Sequence, residues 1–310
     1  MGWFRRSSLK IGLALGGGGA RGLAHIGVMK VLEREKIPVA CIAGTSAGSI
    51  IGAMYSQLES ASDVEERIRN FFASDRFREM TRRFSAGQKK DMSRQGWLDR
   101  TLTFVKRQYI VTRAFSKLGL IDRSTLEFAI RALIDDEDIR DARIPLAVVA
   151  TDLWKGEDVV MTRGSIRKAV SASAGIPGTF PPLEMEGRCL VDGCVINMVP
   201  VHETRDLGAD RVIAVDVTRE LVRPPAFQNG LEVMFRADEI TNFRLNEFHL
   251  MAADVIVRPK MGETHWAEFG RLDDLIRLGE EAAEEKLEDI RRLLLPARRR
   301  WFHFLRGRGN

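Results

Sequence analysis

The chain has 310 residues, 45% of them hydrophobic and 29% charged, with 48 Lys or Arg against 43 Asp or Glu and a net charge of +5. Such a balance excludes a disordered or fibrous chain and leaves ample sequence for a buried core, as one large α/β unit or two smaller ones. Cys41, Cys189 and Cys194 are too few for a disulfide framework and fit a reducing, cytoplasmic setting.

Leu9 to Leu15 reads as a first strand. It runs into Gly16-Gly17-Gly18-Gly19-Ala20-Arg21-Gly22, after which Leu23 to Leu32 carries helical apolar spacing. Three readings compete for the glycine loop. A dinucleotide fingerprint needs an acid about 20 residues on, and Cys41-Ile42-Ala43-Gly44 holds none. A P-loop needs Gly-Lys-Ser/Thr, and no lysine stands there. An oxyanion hole needs several N–H groups aimed at one point, which consecutive glycines permit, with Arg21 adding fixed positive charge. The third reading prevails because a serine turn follows one strand later, so both loops open at the same sheet edge.

That turn is Gly44-Thr45-Ser46-Ala47-Gly48. An apolar run breaks into Gly-x-Ser-x-Gly and resumes with helical spacing, the layout of a nucleophile elbow with Ser46 at a helix N-terminus. Further along, Ser62-Asp63-Val64-Glu65 reads as a capping box. From Asp75 to Arg123 the chain carries 13 Lys or Arg and 5 Asp or Glu among six aromatic residues. We read this stretch as a basic, helical, lid-like insertion suited to an anionic membrane surface; no nucleic-acid recognition motif accompanies it.

Ser124 is expected to cap a helix to Leu133. Ile144–Asp152 and Val212–Val217 are near-continuous apolar runs, as buried parallel strands require, and Ile166 to Val170 begins a short helix. Leu231–Met251 reads as helix, Ala253–Pro259 as a last strand, and Asp273–Leu295 as helix. Pro296–Asn310 is an arginine-rich aromatic tail with the same membrane chemistry as Trp3-Phe4-Arg5-Arg6. No apolar stretch approaches the roughly 18 residues of a membrane span, and no signal-peptide core follows the basic start. The alternation of strands and helices predicts a mostly parallel sheet covered on both faces.

A serine nucleophile needs a base. None of His25, His202, His249, His265 and His303 lies in a turn motif that would fix an imidazole. Asp152, Asp192 and Asp216 instead end strand-like runs, the edge where open α/β sheets place their sites. Asp192, followed by Gly193 in an Asp-Gly turn, is modestly preferred.

Gly17-Gly18-Gly19-Ala20-Arg21-Gly22, Gly44-Thr45-Ser46-Ala47-Gly48 and Asp192-Gly193, in that order, resemble the three signatures of the patatin-like phospholipases. Ala150-Thr151-Asp152-Leu153 and Ser171–Pro177 resemble the family's bacterial members. The likeness covers Leu9 to Val217. It implies a three-layer α/β/α fold and a histidine-free Ser–Asp dyad needing no metal or cofactor, with Ser46 as nucleophile and Asp192 as base. Gly17, Gly18, Gly19 and Arg21 would stabilise the oxyanion, and Gly22, Gly44, Gly48 and Gly193 would shape the motifs. Cys194 departs from the family's usual glycine or alanine. The expected organisation is a core over 9–217, a part over 218–295 packed on it, and the tail. The substrate expected from the resemblance is a lipid ester. The alternative function is a membrane-associated regulatory or scaffolding protein with a vestigial dyad.

Overall fold

The computed structural model describes residues 9–79, 118–224 and 226–295. Most of the basic insertion, both aromatic termini and the readings placed on them lie outside these residues.

The described strands form one eight-stranded sheet. β1 (Ile11–Leu15) lies between β2 (Cys41–Thr45) and β7 (Arg211–Val215), all parallel, and β8 (Val255–Val257) extends the sheet beyond β7. On the other side β2 pairs in parallel with β3 (Leu146–Asp152). There the parallel pattern stops: β4 (Glu157–Met161), β6 (Arg188–Asp192) and β5 (Leu183–Met185) are antiparallel additions. The expectation of a mostly parallel sheet holds for its centre, whose strands β1, β2 and β3 are buried along their whole length.

Side chains on successive strand residues face opposite sides, and the two sides differ in bulk. Ile11, Leu13, Leu15, Ile213 and Val215 project into the larger core with α1 (Ala24–Arg34), α2 (Ala47–Leu58), α3 (Ala61–Ala73), α4 (Arg123–Leu133) and α8 (Leu272–Glu285). Ala14, Cys41, Val212 and Ala214 face α6 (Val201–Asp206) and Leu250 at the end of α7 (Gly230–Leu250). At Gly12 a β-carbon would run into Thr204 of α6, so small residues let this second helical layer sit close. The result is the expected three-layer α/β/α fold, and α8 of the C-terminal part packs along α1 of the core.

Several boundaries differ from expectation. The capping serine is Ser60, whose Oγ accepts from the amide of Asp63 at 3.2 Å; Ser62 already lies inside α3. Asp122, not Ser124, precedes α4. The last helix divides into α8 and α9 (Leu287–Leu293) because no buried side chain stands between Ala283 and Ile290 to hold that turn on the core.

Candidate active site

Register explains why Ser46 and Asp192 meet. β4 runs along one edge of β3, and the other edge is shared by two strands in sequence. β2 occupies it as far as Thr45 opposite Val149, and β6 arrives from the opposite direction to place Asp192 opposite Ala150. The two strands end head to head on one strand's edge, and the residue that follows β2 is Ser46.

Ser46 turns with φ 53° and ψ −122°, a conformation an L-residue adopts only when its surroundings impose it. Its hydroxyl donates to Asp192 Oδ2 at 2.6 Å, and Asp192 Oδ1 accepts from the amide of Cys194 at 2.9 Å. Both side chains are buried. Burial pushes the Asp192 carboxyl above its ordinary range, against the hydrogen bonds from Ser46 and Cys194. The C-terminal end of α5 (Ile166–Ser173) clamps both residues: Ser173 Oγ accepts from the Ser46 amide at 2.9 Å, and Gly175 O accepts from the Asp192 amide at 3.0 Å. Ser173 in turn donates to Val149 O at 2.6 Å. The run Ser171–Pro177 was the sequence signal for this clamp, although none of its members stood among the expected site residues.

The glycine loop leaves β1 beside the elbow. Gly16 O is held by Nε2 of His25 at 2.8 Å, and the Gly17 amide donates to Met198 O at 3.0 Å. Gly17 is therefore not a free donor. Its role is steric: a β-carbon there would fall on Cys194 Sγ and lie 3.0 Å from Ser46 Cβ. Gly18 O accepts from both Nε and the backbone amide of Arg21, at 3.2 and 3.3 Å. Because the peptide is planar and trans, anchoring that carbonyl points the Gly19 N–H the opposite way. Among the described residues the Gly18 and Gly19 amides have no protein acceptor. Gly19 takes φ 59°, and a side chain there would strike Trp266, whose carbonyl accepts from Ala20 N at 2.7 Å. Gly22 packs on Ala47, Gly44 on the backbone of Gly48, Gly48 on the Leu15 carbonyl, and Gly193 on the Val149 carbonyl.

His25 is wholly buried, and burial pushes its imidazole down to about 4, so it is neutral at ordinary pH and donates from Nε2. Burial likewise lowers the Arg21 guanidinium, with Arg219 as the next cause. Burial, then the Asp192 carboxylate, raises the half-buried Cys194 thiol well above its usual value. The two runner-up carboxylates are engaged elsewhere. Asp152 caps the turn after β3 through the amides of Trp154 and Cys189, and Asp216 bonds Thr218 N and Arg258.

A strained serine at a strand-to-helix elbow, backed by a glycine loop in a three-layer α/β/α fold, sets the class of architecture. A family model described as Patatin-like phospholipase matches residues 13–205, and the chain belongs to the patatin-like phospholipase family. Patatin-like phospholipase domain-containing protein 6 of Homo sapiens is 37% identical over 209 residues, covering 67% of this chain and 13% of that protein. Lysophospholipase NTE1 of Pyricularia oryzae is 28% identical over 306 residues, covering 91% of this chain and 18% of that one. The chain thus spans a small part of these relatives' length. Among solved structures, VipD from Legionella pneumophila aligns with a TM-score of 0.43 and 16% identity over 91% of this chain and 67% of that one.

Proposed function

We propose that the protein is a serine acyl hydrolase that cleaves carboxylic esters of lipids, of the phospholipase A or lysophospholipase type, through the Ser46–Asp192 dyad. The observation that carries this reading is the 2.6 Å hydrogen bond from a strained, elbow-held hydroxyl to a buried carboxylate. The names of the relatives support lipid esters as the substrate class.

In this reading Asp192 accepts the Ser46 proton as Oγ attacks the ester carbonyl. Its raised affinity for protons makes it a stronger base than an exposed carboxylate. The tetrahedral oxyanion takes the Gly18 and Gly19 amides. Arg21 positions that pair by anchoring Gly18 O rather than by touching the oxyanion. The Asp192 proton passes to the leaving alkoxide, leaving an acyl-Ser46 ester. Water, deprotonated by Asp192, then releases the fatty acid and restores Ser46.

A fluorophosphonate probe is expected to label Ser46 in the wild-type chain and to leave Ser46→Ala unlabelled. Hydrolysis across a panel of phospholipid, lysophospholipid and neutral ester substrates should stop in the same variant. An unlabelled wild type would favour a vestigial dyad.

Two outcomes follow from the site. Activity should fall on acidification along one limb, because the base must be ionised, with a midpoint above the ordinary carboxylate value. No inflection should come from His25, which stays neutral until about 4; a second limb near pH 6.5 in kcat/KM would place a histidine in the mechanism. Arg21→Ala should lower kcat by about 10²-fold with little change in KM, since losing an oriented oxyanion donor acts in the transition state. A pure rise in KM would assign Arg21 to substrate binding instead.

A further inference from the structure

The stretch that clamps Ser46 and Asp192 is itself held from outside, by an arginine that the hydrolytic reading does not use. That stretch is the C-terminal end of α5 with the residues just after it, where Ser173 Oγ accepts from the Ser46 amide and Gly175 O from the Asp192 amide. Arg123, the first residue of α4, reaches across it. Its Nη1 donates to Ser171 O at 2.9 Å and to Ser171 Oγ at 3.1 Å, and its Nε donates to Pro181 O at 3.2 Å. One side chain thus ties the chain before the clamp to the chain after it.

The chemistry of the contact explains the residue type. Ser171 O lies in the last turn of α5, where carbonyls lack intrahelical donors and the helix end carries partial negative charge. A guanidinium meets both needs, and its donors lie in fixed directions in one plane, so it can hold two carbonyls at once; an ammonium is a point charge. Arg123 is half-buried, yet no carboxylate pairs with it among the described residues. Arg167, which joins α5 to α4 at the end away from the clamp through Ile134 O, differs in also pairing with Asp136. Gly175 leaves the room that Arg123 needs: a β-carbon there would lie 3.0 Å from Nη2 and 3.2 Å from Ala172 O. Packing fixes the approach. The amides of Leu120 and Ile121 donate to Gly178 O and Thr179 O at 3.1 and 2.9 Å, and Leu126, Ile130 and Leu133 bury the inner face of α4.

We propose that Arg123 is a positioning residue for ester hydrolysis: by fixing Ser171 and Pro181 it holds Ser173 and Gly175 where they orient Ser46 and Asp192 toward each other. Its effect on rate rests on the Ser46–Asp192 reading above, whereas its effect on the two amides rests on the hydrogen bonds alone. Arg123 donates to neither member of the dyad and acts through the clamp. Both dyad amides are bonded to one short segment, Ser173–Gly175, so loosening that segment displaces nucleophile and base relative to one another. A misplacement of about 1 Å between reacting groups costs about 10²-fold in rate.

The test uses the full chain. Arg123→Met keeps an apolar stem and removes the donors; it should lower kcat, and the rate of fluorophosphonate labelling at Ser46, by about 10- to 10²-fold with KM within about twofold. Arg123→Lys keeps the charge but holds one carbonyl at most, and should fall between that variant and the wild type. Hydrogen exchange supplies a readout that does not depend on turnover. In Arg123→Met the Ser46 and Asp192 amides should exchange about tenfold faster, while those of Leu13 and Val215 in the central strands stay as protected as in the wild type. Arg167→Met is the control for helix docking: it should lower the melting temperature while leaving kcat, labelling and exchange at Ser46 and Asp192 as in the wild type. The proposal is overturned if folded Arg123→Met keeps wild-type labelling and exchange, if Arg167→Met reproduces its losses, or if KM alone rises. Faster exchange at Ser46 and Asp192 in a protein whose wild type hydrolyses no ester would uphold the hold of Arg123 on the clamp and overturn the hydrolytic reading instead.

Discussion

Asp192→Asn is expected to lower kcat by about 10³–10⁴-fold, and Ser46→Ala by at least as much, because members of a catalytic unit are removed as a unit. Stability should move the other way. Asparagine keeps an oxygen to accept from the Cys194 amide and removes a carboxylate whose burial disfavours its charged form. The sign is fixed by that shift: the folded state binds the Asp192 proton more tightly than the unfolded state, so ionisation at neutral pH costs stability. A neutral isostere removes the cost, and the variant should melt at or above the wild-type temperature. Ser46→Gly should likewise lose activity without loss of stability, since glycine accepts φ 53° and ψ −122° without the steric cost serine bears there. A variant of either residue that is both folded and fully active would remove the dyad. One that loses activity only by unfolding would show that Ser46 and Asp192 hold the fold rather than run a reaction.

The second large effect is on the fold. Gly48→Ala is expected to cost about 3–5 kcal/mol, read as a melting temperature lower by about 10 °C. A β-carbon at position 48 falls on the carbonyl of Leu15 and lies 2.8 Å from that of Gly16. Those atoms belong to the last residue of β1 and the one after it, on a strand held between β2 and β7 in the middle of the sheet, so the obstacle is backbone that cannot swing aside. Gly187→Ala supplies the control. Gly187 has φ 71° but nothing within 4 Å of its would-be β-carbon, so its cost should be only about 1 kcal/mol of backbone strain. Equal effects at the two positions would refute the close approach of the elbow helix to β1.

Much of this architecture was legible in the residues. The apolar runs around Ile11–Leu15, Ile42 and Leu146–Ala150 announced buried strands because both faces of those strands are covered, which demands unbroken apolar sequence. The Gly-x-Ser-x-Gly turn was equally plain, since a tight strand-to-helix turn admits few other residues. The antiparallel margin was less so. β5 has three residues and β4 has a single fully buried position, Val159, too little signal to separate from loop. The capping serine shifted from Ser62 to Ser60 because two serines stand two apart and only packing of Ala61, Val64 and Ile68 decides where the helix begins.

By itself the sequence determined the inventory: a serine elbow, a glycine loop, an Asp-Gly turn, and their order along α/β elements. Local chemistry suffices there, because turns and buried strands are written in short runs of neighbouring residues. Among Asp152, Asp192 and Asp216, each at the end of a strand, the residues themselves gave only a modest preference, for the Asp-Gly turn of Asp192, and the family resemblance named the same carboxylate. What only the tertiary structure shows is the contact: β2 and β6 share one edge of β3, so that of these three carboxylates it is Asp192 that meets Ser46. The same holds for the loop, where His25 and Arg21 grip two carbonyls and the Gly18 and Gly19 amides have no acceptor among the described residues. Those contacts depend on the register of the strands and the rotation of helices, and no pattern of neighbouring residues encodes them.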